Sequence, residues 1–284
     1  MVDIKENEGN IVSNRDSINL KNVEKVAMRK NQVIAISNNK GGVGKTTTAL
    51  NIGGGFAHLG LKVLLIDLDG QANLSSSLGV PPDLHPHVGH VMLEEARIQD
   101  VIQTRGSVDI LPSAFELVNQ VDRIKNEVGA NLLLDNALKP MRKRYDRILI
   151  DCPPSLDILT LNALTAADAY IVPMMAEFYS HLALDKMIRS VDKLRSRGAN
   201  PDLQLAGVLF TRHSKAGRTL IGRQIVESTR QAIKDHVFQN VIRDNVALVE
   251  CVSAHQTIFE YDGESAGAKD YMKICKEILE NEES

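Results

Sequence analysis

Apolar residues along this chain gather into short, nearly continuous runs: VIAIS (33–37), KVLLIDLD (62–69), VDILPS (108–113), RILIDCPP (147–154), AYIVPM (169–174) and LAGVLFT (205–211). Apolar runs of this length without polar alternation predict strands covered on both faces. Between them the apolar positions recur at helical spacing. Strands that alternate with helices through right-handed crossovers predict an α/β fold, a doubly wound, mostly parallel sheet with helices on both faces. Residues 1–30 break the pattern, because they are rich in Asn, Lys, Glu and Asp, and predict a polar N-terminal extension that is flexible or partly helical. Residues 31–284 then form one domain. Near its end Ala268, Tyr271, Met272, Cys275, Ile278 and Leu279 fall at helical spacing. The acidic residues that follow favour docking of that stripe on the core over a membrane surface.

Composition narrows the chemistry. With 284 residues, 43% of them hydrophobic, the chain can bury a substantial core. Its net charge of -3 gives no general affinity for nucleic acid, so any such binding needs a local basic surface. Cys152, Cys251 and Cys275 are odd in number and lack paired spacing, which argues against a disulfide framework and a zinc site and fits a reducing cytoplasm. None of the eight histidines has metal-ligand spacing. No segment reads as a signal peptide or membrane span, so a soluble, cytoplasmic protein is expected.

The first strand runs into Asn38-Asn39-Lys40-Gly41-Gly42-Val43-Gly44-Lys45-Thr46-Thr47, and a helix ending at Gly60 follows. In such a strand–loop–helix unit, Gly41, Gly42 and Gly44 let backbone N–H groups approach phosphate oxygens. Lys45 reaches the β and γ phosphates and Thr46 binds Mg²⁺. The strict P-loop pattern wants glycine at 39, where Asn39 stands, a residue tolerant of left-handed geometry. In LLIDLDG, Asp67 and Asp69 alternate along a strand and are expected on one face beside the phosphates. RILID ends in Asp151, as a Mg²⁺-holding carboxylate would. The neighbouring Cys152 is read as packing.

With its second lysine, Lys40, the string KGGVGKTT resembles the deviant Walker A motif of the ParA/MinD family of P-loop ATPases, and the resemblance runs through almost all of residues 32–280. It implies a nucleotide site of Lys40, Gly41, Gly42, Val43, Gly44, Lys45, Thr46 and Thr47, with Asn245 near the adenine. It implies a metal site of Thr46, Asp67 and Asp151. Catalytic roles follow for Lys45, for Asp69 on the attacking water, and for Lys40 reaching across a dimer interface. ATP and Mg²⁺ are the implied cofactors. DCPPSLDILTLNAL and VIRDNVALVECVSAHQTIFEYDG look like ParA-type, Soj-like partition proteins without a large N-terminal DNA-reading domain. That likeness implies a homodimer in the ATP state, nonspecific double-stranded DNA, a ParB-like centromere-binding partner, and a nucleoid-associated location without stable membrane association. A MinD-like or cargo-positioning ATPase is the alternative. Gly70 stands where many relatives have proline, and Asp244 and Ala247 where relatives often have arginine.

Residues 211–234 carry Arg212, Lys215, Arg218, Arg223, Arg230 and Lys234 against the single acid Glu227. Two readings stay open. Lys215, Arg218 and Arg223 contact DNA phosphates without base stacking, or Arg223, Glu227 and Arg230 form a solvated, ion-paired helix face while Ile221, Ile225, Ala232 and Ile233 face the core.

Overall fold

Each of the six apolar runs becomes a strand in the computed structural model, which describes residues 32–177, 180–213 and 220–281. The extension expected over 1–30 lies outside the described residues. In chain order the elements are β1 (Gln32–Ile36), α1 (Lys45–His58), β2 (Val63–Asp67), α2 (Asn73–Ser77), α3 (Val88–Met92), α4 (Ile98–Val101), β3 (Gln103–Arg105) and β4 (Val108–Leu111). There follow α5 (Leu117–Asn126), α6 (Leu133–Leu138), β5 (Arg147–Asp151), α7 (Ile158–Ala166), β6 (Ala169–Met174), α8 (Ser180–Ser196), β7 (Gln204–Phe210) and α9 (Leu220–Ile233). After a 3₁₀ turn over Lys234–His236 come α10 (Ala247–Ser253), α11 (Ile258–Asp262) and α12 (Ala266–Glu280).

Among the described residues the strands form one seven-stranded sheet in the order β3-β4-β2-β5-β1-β6-β7, parallel except for the β3–β4 edge hairpin. Alternate residues of a strand supply the two faces. Val33 and Ala35 of β1 pack with α3 to α9, whereas Ile34 and Ile36 pack with α1, α2 and α10 to α12. The sheet is the middle of three layers, as expected for a doubly wound fold. Because β1 sits between β5 and β6 while its own crossover leads to β2, the chain switches direction around β1. The carboxyl ends of β1, β2 and β5 at such a switch border a crevice for ligands.

Helix α1 lies against the sheet on a run of glycines. A Cβ at Gly53 would come within 2.5 Å of Leu65 Cδ2, at Gly54 within 2.6 Å of Thr257 Cβ, and at Gly55 within 2.5 Å of Cys275 Sγ. The helix ends through a Schellman motif: Gly60 at φ 85° donates to Ala57 O at 2.9 Å, and Leu61 donates to Phe56 O at 3.0 Å. Tyr271, Ile274, Cys275 and Ile278 of α12 are buried in the same layer, so the apolar stripe docks on the core.

Thr257 has little room to retreat, because it caps α11 and donates from both its amide and its hydroxyl to Glu260 Oε2. Gly54→Ala is therefore expected to cost about 1–3 kcal/mol in overpacking, against about 1 kcal/mol returned by alanine's helix preference. The net loss should lower the urea midpoint without changing the slope. An unchanged midpoint would mean that α11 yields freely.

Candidate nucleotide site

The loop after β1 is pinned at both ends. Asn38 donates through Nδ2 to Pro173 O at 2.7 Å and accepts from the Lys40 amide at 3.0 Å. Thr211 donates through Oγ1 to Val43 O at 2.8 Å. Gly42 and Gly44 take φ values of 74° and 85°, the left-handed region that glycine enters without strain. Asn39 does not take a positive φ, so position 39 needs no glycine here. No side chain caps α1, and the space over Gly41 and Gly42 is open. The first amides of α1 are thereby left to an anion. Lys45, 7% exposed, folds back over the loop and donates through Nζ to Lys40 O at 3.2 Å.

Below the loop stand the carboxylates. Asp67 and Asp151 are register partners on neighbouring strands, and both are fully buried. Asp67 accepts from the Asp69 amide at 3.0 Å and from the amide and hydroxyl of Ser75 at 2.8 and 2.7 Å. Burial still pushes its acid up to about 6. Asp151 differs, since both carboxylate oxygens are buried without a hydrogen bond of normal geometry. Burial, then the Asp67 charge, hold its acid well above the usual carboxylate range, opposed by Thr46 and Lys45. Burial likewise pulls the Lys45 ammonium down, while Asp151, Cys152 and Asp69 raise it. Two acids and one buried lysine are a charge set that a dication stabilises, and the unpartnered oxygens of Asp151 are a place for one. Cys152 is driven up by burial and stays a thiol, in keeping with packing.

The expectation that Asp67 and Asp69 share a strand face is corrected. β2 ends at Asp67, and Asp69 lies in the following turn, where it accepts from the Gln71 amide at 2.9 Å. Asp69 still reaches the cleft, whose lining includes Gly41, Lys45, Thr46, Asp69, Arg243 and Asn245 within a volume of about 460 Å³, the size of a small-molecule site. Gly70 has its own constraint, since a Cβ there would meet Val118 Cγ2 at 2.5 Å.

On the far wall Asn245 accepts from the Ala247 amide at 2.8 Å at the start of α10. Its neighbour Arg243 is held by Asp270 of α12, through Nε and Nη2 at 2.8 Å each. Tyr271, buried beside it, lies 3.3 Å from Thr48 Oγ1. Sequence reasoning missed Tyr271 as a cleft group, because its position reads only as one face of a docked helix, and it assigned no role to Asp270, which holds Arg243. Asp244 stands opposite Arg212 at 3.8 Å, an exposed pair across the cleft.

The family model described as AAA domain matches residues 31–205. The sporulation initiation inhibitor protein Soj of Bacillus subtilis is 37% identical over 253 residues, 88% of this chain and 99% of that protein. The chain belongs to the ParA/MinD family of P-loop ATPases. The chromosome partitioning protein ParA of Myxococcus xanthus is 35% identical, over 88% of this chain and 89% of that one. Among solved structures, cobyrinic acid a,c-diamide synthase from Mycobacterium smegmatis with bound ADP and magnesium aligns with a TM-score of 0.77 at 31% identity, over 89% of this chain and 96% of that chain.

In this family member the phosphate loop, Asp69 and Asn245 line one cleft, with Asp67 and Asp151 buried behind it. Lys40 turns away from the cleft and pairs with Glu177. Lys215 and Arg218 lie outside the described residues. Arg223 is exposed on α9, with Glu227 and Arg230 also exposed. Ile225 and Ile233 are buried as expected, but Ala232 is exposed, a correction to the core face assigned to this helix. The buried stripe runs instead through Ile225, Thr229 and Ile233, four residues apart, and Ala232 falls to one side of it. No helix among the described residues is long and apolar enough to cross a membrane.

Proposed function

We propose that this chain is a ParA-type DNA partition ATPase that uses ATP and Mg²⁺, pairs with a second copy in the ATP state and binds duplex DNA without reading its sequence. In this reading it is cytoplasmic and nucleoid-associated, and a ParB-like centromere-binding partner stimulates hydrolysis. The observation that carries the chemistry is the buried, unpartnered Asp151 carboxylate beside Lys45 at the uncapped start of α1. The similarity to Soj and ParA over 88% of the chain supports the partition role.

Amides of Gly41 to Thr47 cradle the phosphates, Lys45 neutralises the β and γ oxygens, and Asn245 borders the base. Thr46 and Asp151 are the groups that would hold Mg²⁺, with Asp67 supporting them from behind through the turn it ties down. When bound, the ion supplies neutralisation of the charge that develops on the phosphate oxygens. Asp69 orients the attacking water and accepts its proton. Lys40 crosses to the partner's phosphates, which makes the dimer the ATP state.

DNA binding rests on the exposed Arg223 together with Lys215 and Arg218. A near-neutral monomer neutralises few phosphates, whereas a dimer aligns two basic patches along one duplex. Each phosphate neutralised adds about -0.9 to the slope of log affinity against log salt. The ATP state is expected to retain two unrelated duplexes equally in a mobility assay, and the ADP state to retain little. Arg223→Glu should keep ATP-dependent dimerisation yet flatten the salt slope by about 2, one contact per subunit. Protein that ignored both duplexes at low salt with ATP but sedimented with anionic vesicles would replace partition by a membrane switch.

A further inference from the structure

Away from the nucleotide cleft, the chain between α2 and α3 brings three histidines against the start of α5. His87 and His90 flank the first turn of α3, His85 precedes them, and Glu116 comes from the residue before α5. One donor atom from each lies within 4.8 Å of the others. His85 Nδ1 is 2.9 Å and His87 Nε2 3.5 Å from the same oxygen, Glu116 Oε2. The spacing of the histidines along the chain does not by itself mark a metal site. Glu116, the fourth group, lies beyond β4 in sequence and joins them only through the fold.

The cluster has the marks of a site and not only of a polar surface. His87 is 0% exposed, and its Nε2 is buried without a hydrogen bond, as is Glu116 Oε2. A buried imidazole nitrogen whose nearest polar partner is a carboxylate oxygen 3.5 Å away, shared with His85 Nδ1, is incompletely satisfied, which is costly unless an ion joins the three. The backbone around them is fastened on both sides: the Val88 amide donates to Pro112 O at 2.8 Å, and the Phe115 amide to Pro82 O at 2.9 Å. Burial, then the neighbouring His90, lower the His87 imidazolium, opposed by Glu116. His85 is exposed, which leaves an entry path.

We propose that His85, His87, His90 and Glu116 form a binding site for one divalent transition-metal ion, of which Zn²⁺ is the best fit. Three imidazoles and a carboxylate suit a borderline ion and not Mg²⁺, which prefers oxygen. Tetrahedral Zn²⁺ with ligands at about 2.0–2.1 Å places donors about 3.3 Å apart, between the 2.9 and 3.5 Å separations at Glu116. Coordination of His87 and His90 through Nε2 puts their protons on Nδ1. That exchange gives up two long contacts, from the Gly89 amide to His87 Nδ1 at 3.2 Å and from the His87 amide to His90 Nδ1 at 3.3 Å. The ion would clip α3 to α5 behind the nucleotide site, because the Ser113 amide, three residues before Glu116, donates at 2.9 Å to the Ser75 hydroxyl that holds Asp67.

The test uses the full chain without a polyhistidine tag, stripped with chelator and kept in excess Mg²⁺ to occupy hard-cation sites. Co²⁺ is titrated while the visible d–d bands of a tetrahedral complex are followed, and Zn²⁺ is then used to displace it. One equivalent of Co²⁺ should give intense bands that one equivalent of Zn²⁺ removes, with a Zn²⁺-dependent rise in thermal midpoint. His85→Ala and Glu116→Gln change partly exposed side chains and should fold. Each should weaken Zn²⁺ binding by at least about tenfold, since losing even a supporting group at a metal site costs that much. Absence of stoichiometric Co²⁺ and Zn²⁺ binding would overturn the proposal. Equal affinity in the His85→Ala, Glu116→Gln double variant would do the same, by placing the ion elsewhere.

Discussion

Lys45→Ala is expected to abolish productive ATP binding, whereas Asp69→Ala is expected to bind ATP normally and hydrolyse it about 10²–10⁴ times more slowly. The two positions differ in what they face. Lys45 is buried at the start of α1 and spans the loop to Lys40 O, so its ammonium is available to phosphates in the ground state and the transition state alike. Its loss removes binding and leaves Asp151 and Asp67 without their cation. At least about 10²-fold in kcat/KM should go, as for other preorganised electrostatic groups. Asp69 instead sits in the turn beyond β2, half-buried on the cleft wall, and on the proposed reading acts only on the attacking water. Its loss should appear in kcat and leave KM nearly unchanged. Equilibrium binding of a fluorescent ATP analogue, run beside phosphate release, separates the two. Full nucleotide affinity in Lys45→Ala would remove that residue from the site. Wild-type turnover in Asp69→Ala would remove Asp69 from the chemistry.

What could be read from the sequence was what depends on continuous local pattern. The six strands, the phosphate loop and Asp151 at a strand end all belong to apolar runs whose burial on both faces leaves one conformation. β3 escaped because Gln103–Arg105 is a short polar edge, paired through β4 and carrying no apolar pattern of its own. Asp69 was located by motif, but its geometry was drawn from strand alternation that ends two residues earlier, at Asp67. The close seating of α1 depends on Thr257 and Cys275, two hundred residues along, so nothing local in the segment expected to be helical announces it. The histidine cluster needed Glu116 for the same reason. For α1 and the histidine cluster the missing information was a tertiary neighbour.

Lys40 carries the last prediction, because its position in the loop admits two destinations. In the single subunit its ammonium pairs with Glu177, the two side chains being 35% and 47% exposed. Exposed pairs of this kind contribute about 0–1 kcal/mol, too little to hold a lysine against the concentrated charge of a partner's triphosphate. The pair holds Lys40 beside Glu177, and on the proposed reading an ATP-bound partner would draw it across the interface. Lys40→Ala is expected to bind ATP nearly as well as the parent yet to stay monomeric in ATP by light scattering, with hydrolysis lost in parallel. Glu177→Gln removes the competing anion and should dimerise at equal or lower ATP, the gain limited to about fivefold by the weakness of the pair. The two variants thus move the same equilibrium in opposite directions. Undiminished dimerisation by Lys40→Ala would show that this lysine serves only its own loop, and the arginine-finger role would have to pass to another cation.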